Sequence, residues 1–423
     1  MIFISFDVVG QIFSGGAAIF SAYIKPVAQS AAPGGVAGAV ATPIAYPSIT
    51  QSVIEAQNLP LGQVLGKIFP WAAITAVGLL GFLVVLIARP SALFLLPFGV
   101  FALAAVKMGA RTTMFGGPVF ALGLVLPLAW AANRYLPDRP WRVFATWGLQ
   151  AGLLALLLIP YFPYSNLPLT PVLSKEHCLA LKALEPITPQ NSRIWTWWDW
   201  GYATQYYARR MSFADGARHD GGYVFPLGAA LTMPNPRQSS QLIEYSATVD
   251  YQPWKVWDTK DASEVVDFLR SLGLKNYNFQ PSDKQYLVVA KENLQLISWI
   301  SFYGSWNLVN KDGSHAFAKK ITTGFDVNVD KGIITIKGTN RHIEMKSIDY
   351  FSEERGLRKV YNNNSNFHAV LNKISGDYFI FDDLAYNSMM VQLLISPPDD
   401  KQFTPFFKLV FDGFPFVRVY EVL

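Results

Sequence analysis

Acidic side chains are almost absent from the first third of this chain: between Asp7 and Asp138 the only one is Glu55. A stretch so poor in charge cannot clothe itself in a solvated surface, so it must be buried in lipid or protein. Three apolar segments lie inside it, roughly Phe69–Ala88, Ser91–Val106 and Phe115–Ala132, and a fourth, Val143–Pro160, follows it. A helix needs about 20 residues to cross the hydrocarbon core, with about 17 as the lower limit. The second segment is therefore short unless it extends to Gly109. Residues 2–24 are a further candidate crossing, interrupted by Asp7 and three glycines. After residue 170 the composition becomes that of an ordinary soluble domain. The whole chain is 15% charged, against about 25% in soluble domains. These observations predict a membrane half followed by a water-exposed half.

Charge placement predicts an orientation. Arg134, Arg139 and Arg142 sit in the connection Asn133–Arg142, and basic loops favour the cytoplasmic side. With four crossings, parity then puts Glu55, the Lys107–Met114 loop and everything after Pro160 on the opposite, external face. The segment Lys25–Ile68 is a long connection rich in Ala, Gly, Pro and Ser. Connections of that length are usually functional lids or disordered segments, and this one is expected to order when something binds.

Several function classes are excluded. The net charge of +5 is diffuse, with no basic run to track nucleic acid. Cys178 is the only cysteine, so neither an intrachain disulfide nor a multi-cysteine zinc site can form. The histidines at 177, 219, 315, 342 and 368 lack ligand spacing. The start has no basic region of the kind that precedes a cleavable signal. The chain is expected to begin inside a larger protein.

The water-exposed half reads as mixed α/β over residues 161–310 and as β-rich over residues 311–423. Strands are expected at Arg193–Thr196 and Gln285–Ala290, and helices at Ala262–Leu272 and Lys291–Tyr303. Two hairpins are expected, one joining the strand at Phe325 to that at Ile333, the other joining Phe407 to Phe416 through Asp412-Gly413.

The densest signal is Trp195-Thr196-Trp197-Trp198-Asp199-Trp200-Gly201. An aromatic core cluster is the plain reading of such a stretch. An aspartate among indoles nevertheless needs hydrogen-bond partners. Indole N–H groups only donate and a carboxylate only accepts, so together they can surround one hydroxyl group, giving to its lone pairs and taking its proton.

Trp197-Trp198-Asp199-Trp200-Gly201 resembles the WWDYG motif of the STT3/PglB/AglB oligosaccharyltransferases. The following Tyr206-Tyr207 and Asp215-Gly216-Ala217-Arg218-His219 are similar to the segment after that motif in bacterial members. Trp200 stands where the family usually carries Tyr. The resemblance implies that Trp197, Trp198 and Asp199 hold the Ser/Thr two residues after an acceptor asparagine. It also implies a fold: an α-helical transmembrane domain of the GT-C type, truncated at its N-terminus over residues 1–160, plus an external α/β domain with a β-rich C-terminal part.

Other positions follow from the same resemblance. Ser52-Val53-Ile54-Glu55 resembles the TIxE/SVSE signature, implying Glu55 as the catalytic residue that activates the acceptor amide and binds a divalent metal, Mn2+ or Mg2+. Arg111, in Gly109-Ala110-Arg111-Thr112-Thr113, and His219 match positions that bind the lipid diphosphate. Lys67 sits where some members carry an Arg that recognises an acidic residue two before the acceptor. Asn293 and Leu296 stand where bacterial members have an MxxI pair against the +2 side chain, so the methyl contact to Thr is altered here. The family's first catalytic Asp and its DxD motif have no counterpart in this sequence, and Asp382-Asp383 and Asp399-Asp400 lie too far along the chain to replace them.

The function so implied is transfer of an oligosaccharide from a polyprenyl-diphosphate carrier to asparagine in Asn-x-Ser/Thr sequons. It would take place in the inner (plasma) membrane by a multi-pass enzyme whose C-terminal domain faces the periplasm or exterior. The implied partners are the lipid-linked glycan, the acceptor polypeptide, membrane lipids and a separately encoded N-terminal half, with no nucleic acid. The alternative is an inactive C-terminal fragment that only binds acceptor peptide.

Overall fold

A computed structural model describes residues 44–53, 56–136, 139–160, 171–322, 324–338, 341–353 and 356–423. The candidate crossing at 2–24, the loop as far as residue 43, and Glu55 lie outside the described residues. The chain divides into two compact units: residues 50–170 belong to the first, and residues 44–49 with 171–423 to the second.

The first unit is helical. Among the described residues two helices are long and apolar enough to cross a membrane, Ala110–Tyr135 and Pro140–Leu158; a third candidate, Leu61–Ile68 with Ala72–Ala88, is bent by 85°. The expected crossing at Ser91–Val106 is not formed as one helix. Pro90 starts a 3-10 turn, Pro97 lies at the start of the helix Leu96–Leu103, and the next helix, Ala105–Met108, stops at Gly109 with φ of 91°. Proline fixes φ and removes a donor, and a left-handed glycine ends a helix, so an apolar run here does not become a single span.

Small residues let the helices approach closely. A Cβ on Gly81 would overlap the backbone of Gly123, and one on Gly78 would come within 2.7 Å of the Phe120 carbonyl oxygen. Close glycine contacts of this kind serve in lipid, where the hydrophobic effect between helices is weak. Phe82 and Phe120 fill the buried seam.

The second unit is mixed α/β. Its principal sheet has the order Phe407–Gly413, Val417–Val422, Gln285–Ala290, Arg193–Trp195, Met211–Ser212. Gln285–Ala290 runs parallel to Arg193–Trp195 and antiparallel to Val417–Val422. Six consecutive buried residues mark Gln285–Ala290 as a central strand covered on both faces. Helices cover it, among them Lys175–Ile187, Gly221–Thr232, Pro236–Thr248 and Lys291–Gly304. A second sheet orders Ala318–Lys320, Asp377–Asp382, Phe367–Asn372, Ser347–Phe351 and Gly356–Val360, and three strands between Phe325 and Glu344 form a third. Both expected strand pairs form, Phe325–Asn328 with Ile333–Ile336 and Phe407–Gly413 with Val417–Val422, but Asp412 and Gly413 are paired strand residues and the second turn lies at 414–416 instead.

Candidate functional site

The Trp-Asp motif begins where the strand Arg193–Trp195 leaves the sheet. Trp195 is fully buried, donates its indole N–H to Gln285 Oε1 at 3.1 Å and stacks on Phe213 at 3.8 Å. This fixes the base from which the chain turns. Trp198–Trp200 then forms a 3-10 turn, closed by the Trp200 amide donating to the Trp197 carbonyl at 2.9 Å, and runs into the helix Gly201–Ala208. Gly201 is required here: a Cβ would overlap the Ala214 carbonyl oxygen and approach Asp215 Cα to 2.6 Å.

The three motif side chains assigned to acceptor binding end in different settings. Trp197 is 2% exposed, and its ring lies 6.0 Å from that of Tyr303. Trp198 is half-buried and stacks on His219 at 5.0 Å, its planes 20° apart. Asp199 is exposed as a residue, yet desolvation by the surrounding protein pushes its carboxyl up to about 6, against a hydrogen bond from Trp197 that pulls it down. Among the described residues the Trp198 indole N–H and His219 Nδ1 are buried without a partner. Asp199 is thus bonded by one indole, and beside it in the chain a second indole with an unspent donor stacks on an imidazole with an unspent nitrogen. That set can both donate to and accept from a small hydroxyl-bearing group.

His219 is delivered by a tight local structure. Asp215, 2% exposed, accepts from the Ala217 and Arg218 amides at 2.9 and 3.0 Å, from the Arg218 guanidinium at 2.6 Å and from Gln205 at 2.8 Å. Burial alone would raise its pKa; the Arg218 and amide hydrogen bonds win and hold it below the ordinary carboxylate value. Asp220 caps the next helix through the Gly222 amide at 2.9 Å. His219 sits between these two anchored acids.

A piece of the long loop also belongs to this unit. Ile44 enters the core, Tyr46 donates to Asp258 Oδ1 at 3.1 Å, the Trp306 indole N–H donates to the Ala45 carbonyl at 2.8 Å, and Tyr303 to the Ser48 carbonyl at 3.4 Å. A Cβ on Gly221 would overlap the Pro47 carbonyl oxygen and reach Tyr46 Cβ at 2.6 Å. Tyr303 therefore touches both the loop and Trp197.

Asn293 is 1% exposed, and its Oδ1 accepts the Ala290 amide at 3.2 Å, capping the helix Lys291–Gly304, while its Nδ2 has no partner among the described residues. Position 293 is the third residue of that helix, where a short polar side chain reaches back to the cap. Leu296, one turn on, is half-buried against the core. Asp382 caps a helix through the Ala385 amide, and Asp383 is engaged by Lys346 and His368.

Arg111 and Lys67 belong to the first unit, and both are exposed. Lys67 is in the last turn of Leu61–Ile68, where a cation suits the helix dipole. Arg111 lies in the 3-10 turn Ala110–Phe115, directly after the left-handed Gly109. The Ala110 amide donates to the Gln57 carbonyl at 3.0 Å, and a Cβ on Gly109 would come within 2.8 Å of the Ala56 carbonyl oxygen. The Arg111 turn is thus bonded to the chain immediately after Glu55.

Sequence reasoning passed over several residues that shape this region. His177 and Glu292 form a buried pair, and Tyr46, Tyr303 and Trp306 secure the loop. Only Asp215-x-x-Arg218 carried a local signal, acid and base three apart. Among the described residues no group of three or more His, Cys, Asp or Glu is arranged to hold a metal ion.

Residues 190–310 match the family model of the STT3/PglB/AglB core domain. The chain is 29% identical over 288 residues to the undecaprenyl-diphosphooligosaccharide–protein glycotransferase of Campylobacter jejuni subsp. jejuni serotype O:2 (strain ATCC 700819 / NCTC 11168). It is 25% identical over 288 residues to the protein of the same name from Campylobacter jejuni (strain RM1221). In both cases the match covers 63% of this chain and 39% of the relative, so the chain spans about two fifths of the length of these curated relatives. Among solved structures, the C. jejuni PglB C-terminal domain aligns with a TM-score of 0.46 at 18% identity, covering 58% of this chain and 98% of that one. The family match encloses the whole Trp-Asp motif, His219 and the helix that follows Gln285–Ala290, so residues 190–310 are similar to the core domain of the STT3/PglB/AglB proteins.

Proposed function

We propose that this chain is the acceptor-recognising part of an N-glycosylation enzyme, which transfers an oligosaccharide from a polyprenyl-diphosphate carrier to the asparagine of Asn-x-Ser/Thr. The observation that carries the reading is the Asp199 carboxyl hydrogen-bonded by the Trp197 indole in the same short turn as Trp198, whose buried indole N–H is still unspent. Such a group suits the +2 hydroxyl, because a site that hydrogen-bonds a hydroxyl strands its own polar groups when that hydroxyl is missing.

The remaining roles rest on the resemblance. Arg111, with its planar fork, suits the lipid diphosphate, and His219 is the second candidate for it. Lys67 suits an acidic residue two before the acceptor, and Leu296 the +2 side chain. Glu55 is assigned to the acceptor amide, whose lone pair is delocalised into the carbonyl; a carboxylate accepting from its N–H protons would hold it in a more reactive geometry. Glu55 is also the candidate ligand for Mn2+ or Mg2+. The described residues supply no further carboxylate set for that ion, and no step is assigned to it. We place the first unit, a GT-C-type helical part, in the inner membrane and the α/β unit on its external side. Protease accessibility in oriented vesicles checks that placement.

The decisive experiment measures binding of a short Asn-x-Thr peptide to the chain in nanodiscs, then transfer to it with an upstream family half supplied. Asp199→Ala removes a charged acceptor and strands donors, so it should cost about 2–4 kcal/mol of peptide affinity. Unchanged affinity in that variant overturns the reading.

A further inference from the structure

Behind the Trp-Asp turn lies a pair of titratable groups with no part in the chemistry above. His177 is completely buried, and its Nδ1 lies 3.3 Å from Glu292 Oε2, a close ionic contact outside hydrogen-bond geometry; the Glu292 side chain is 6% exposed, and among the described residues that oxygen and both imidazole nitrogens have no hydrogen-bond partner. Glu292 Oε1 also accepts the Ser174 amide at 3.1 Å, and Ser174 Oγ in turn caps the helix Lys175–Ile187 through the His177 amide at 3.3 Å. The carboxylate therefore ties the start of one helix to the start of another, Lys291–Gly304. On its other side the imidazole meets the Trp200 ring edge-on, centroids 6.2 Å apart and planes at 70°. The Trp200 indole N–H finds no partner among the described residues, so no hydrogen bond sets the rotation of that ring.

Burying an acid and a base costs desolvation that an apolar pair of the same volume would avoid, so such a pair is poor evidence of stabilisation and better evidence of a need for fixed geometry. What the pair fixes is one end of the turn that carries Asp199. Trp198, Asp199 and Trp200 make up a single 3-10 turn, so the seating of the Trp200 side chain bears on the backbone from which the neighbouring Asp199 projects. We infer that His177 and Glu292 are positioning residues for acceptor recognition: the carboxylate locks the imidazole, the imidazole locks Trp200, and Trp200 sets the aim of Asp199. Neither residue touches acceptor. The inference rests on the acceptor reading for its ligand, the +2 hydroxyl of a sequon peptide, and on the contacts of this unit alone for its geometry.

The test uses the whole chain in nanodiscs with 5-fluorotryptophan incorporated and the Trp200 line assigned by a Trp200→Phe control. Two peptides are titrated, Asn-x-Thr and Asn-x-Ala. The native chain should prefer the Thr peptide by at least about tenfold, the worth of one charged hydrogen bond. Glu292→Ala and His177→Ala should shrink that preference to within about threefold, weakening the Thr peptide while leaving the Ala peptide unchanged. They should also split or broaden the Trp200 fluorine line. Glu292→Gln, whose amide oxygen keeps the Ser174 contact and whose N–H2 group can donate to a neutral His177 imidazole, should restore most of the preference and a single line. A preference and a Trp200 line unchanged in both alanine variants overturn the inference, as does an equal loss of both peptides. If the native chain shows no preference, the acceptor reading fails; the fluorine line then decides the positioning role alone, and an unchanged single line refutes it.

Discussion

Replacing Gly221 by alanine sets two effects of known sign against each other. Gly221 opens the helix Gly221–Thr232, and its φ is not among the left-handed values. On propensity alone an alanine there should stabilise the helix by up to about 1 kcal/mol. The added Cβ, however, would overlap the Pro47 carbonyl oxygen and press on Tyr46 Cβ at 2.6 Å. Both contacts are backbone or Cβ, so no flexible side-chain end can yield. The segment at residues 44–49 must lift, and lifting it loosens three hydrogen bonds, Tyr46 to Asp258, Trp306 to Ala45 and Tyr303 to Ser48. At about 1 kcal/mol each the loss is about 3 kcal/mol, and the propensity gain leaves a net destabilisation of about 2 kcal/mol. For a unit of this size that corresponds to a fall of roughly 4–8 °C in the unfolding midpoint. Thermal unfolding followed by indole fluorescence reads the midpoint, and limited proteolysis at residues 44–49 reads the release of the segment. A Gly221→Ala chain that melts at or above the native temperature, with the segment still protected, would refute the reasoning.

Three further outcomes are expected. Acceptor-peptide affinity should be level above neutral pH and fall as pH drops through about 6, since protonation removes the carboxylate as an acceptor; the decline should approach about tenfold per pH unit. Isothermal titration across pH 4.5–8 tests this as a design range of about that width, and Asp199→Asn should abolish the dependence. Glu292, held at about 2 against an ordinary 4.5, bonds better when ionised. Burial works against that, and the His177 contact and the Ser174 hydrogen bond win. A depressed carboxyl contributes stability that is present above its unfolded value and is lost as pH falls towards its folded one. The unfolding midpoint should therefore drop between about 4.5 and about 2, less so in Glu292→Gln, and equal profiles would dismiss this role. Asn363-Asn364-Ser365 has the form of a sequon, but the Asn363 amide donates to the Met345 carbonyl at 3.0 Å and Ser365 Oγ to the Glu344 carbonyl at 2.6 Å. The folded chain should leave Asn363 unmodified in a glycosylating host, and peptide mapping that finds it occupied contradicts this.

The parts of the fold legible in sequence were those whose pattern repeats locally. Gln285–Ala290, the helix from Lys291 and the hairpin from Phe407 each announce themselves within a dozen residues through β-branched runs, caps and turn residues. The helix Gly221–Thr232 did not. Ten of its twelve residues are buried and Pro226 lies inside it, so it has no polar face to give a period. The run Ser91–Val106 misled for the opposite reason: its hydrophobicity is real, but it is split into a 3-10 turn begun by Pro90, the helix Leu96–Leu103 with Pro97 at its start, and a short helix that stops at Gly109. At the site, the motif Trp197-Trp198-Asp199 stood out because its residue types conflict chemically. Its supports did not. Tyr303 and Trp306 reach residues 48 and 45, and His177 reaches 292, across separations no local pattern records. Asn293 looked like a contact residue by position and turned out to be a helix cap.

The sheet order carries a consequence for the life of the chain. The strand Gln285–Ala290, which precedes the helix bearing Glu292, is flanked by Arg193–Trp195 on one edge and by Val417–Val422 on the other. On a ribosome, the recognition motif emerges more than two hundred residues ahead of the strand that closes this edge. Until then Gln285–Ala290 offers a bare, largely apolar rim, the kind of edge that recruits strangers. The strand beside the Trp-Asp motif thus waits for Val417–Val422 to cover it, and removing that distant strand would unsettle a motif it never touches.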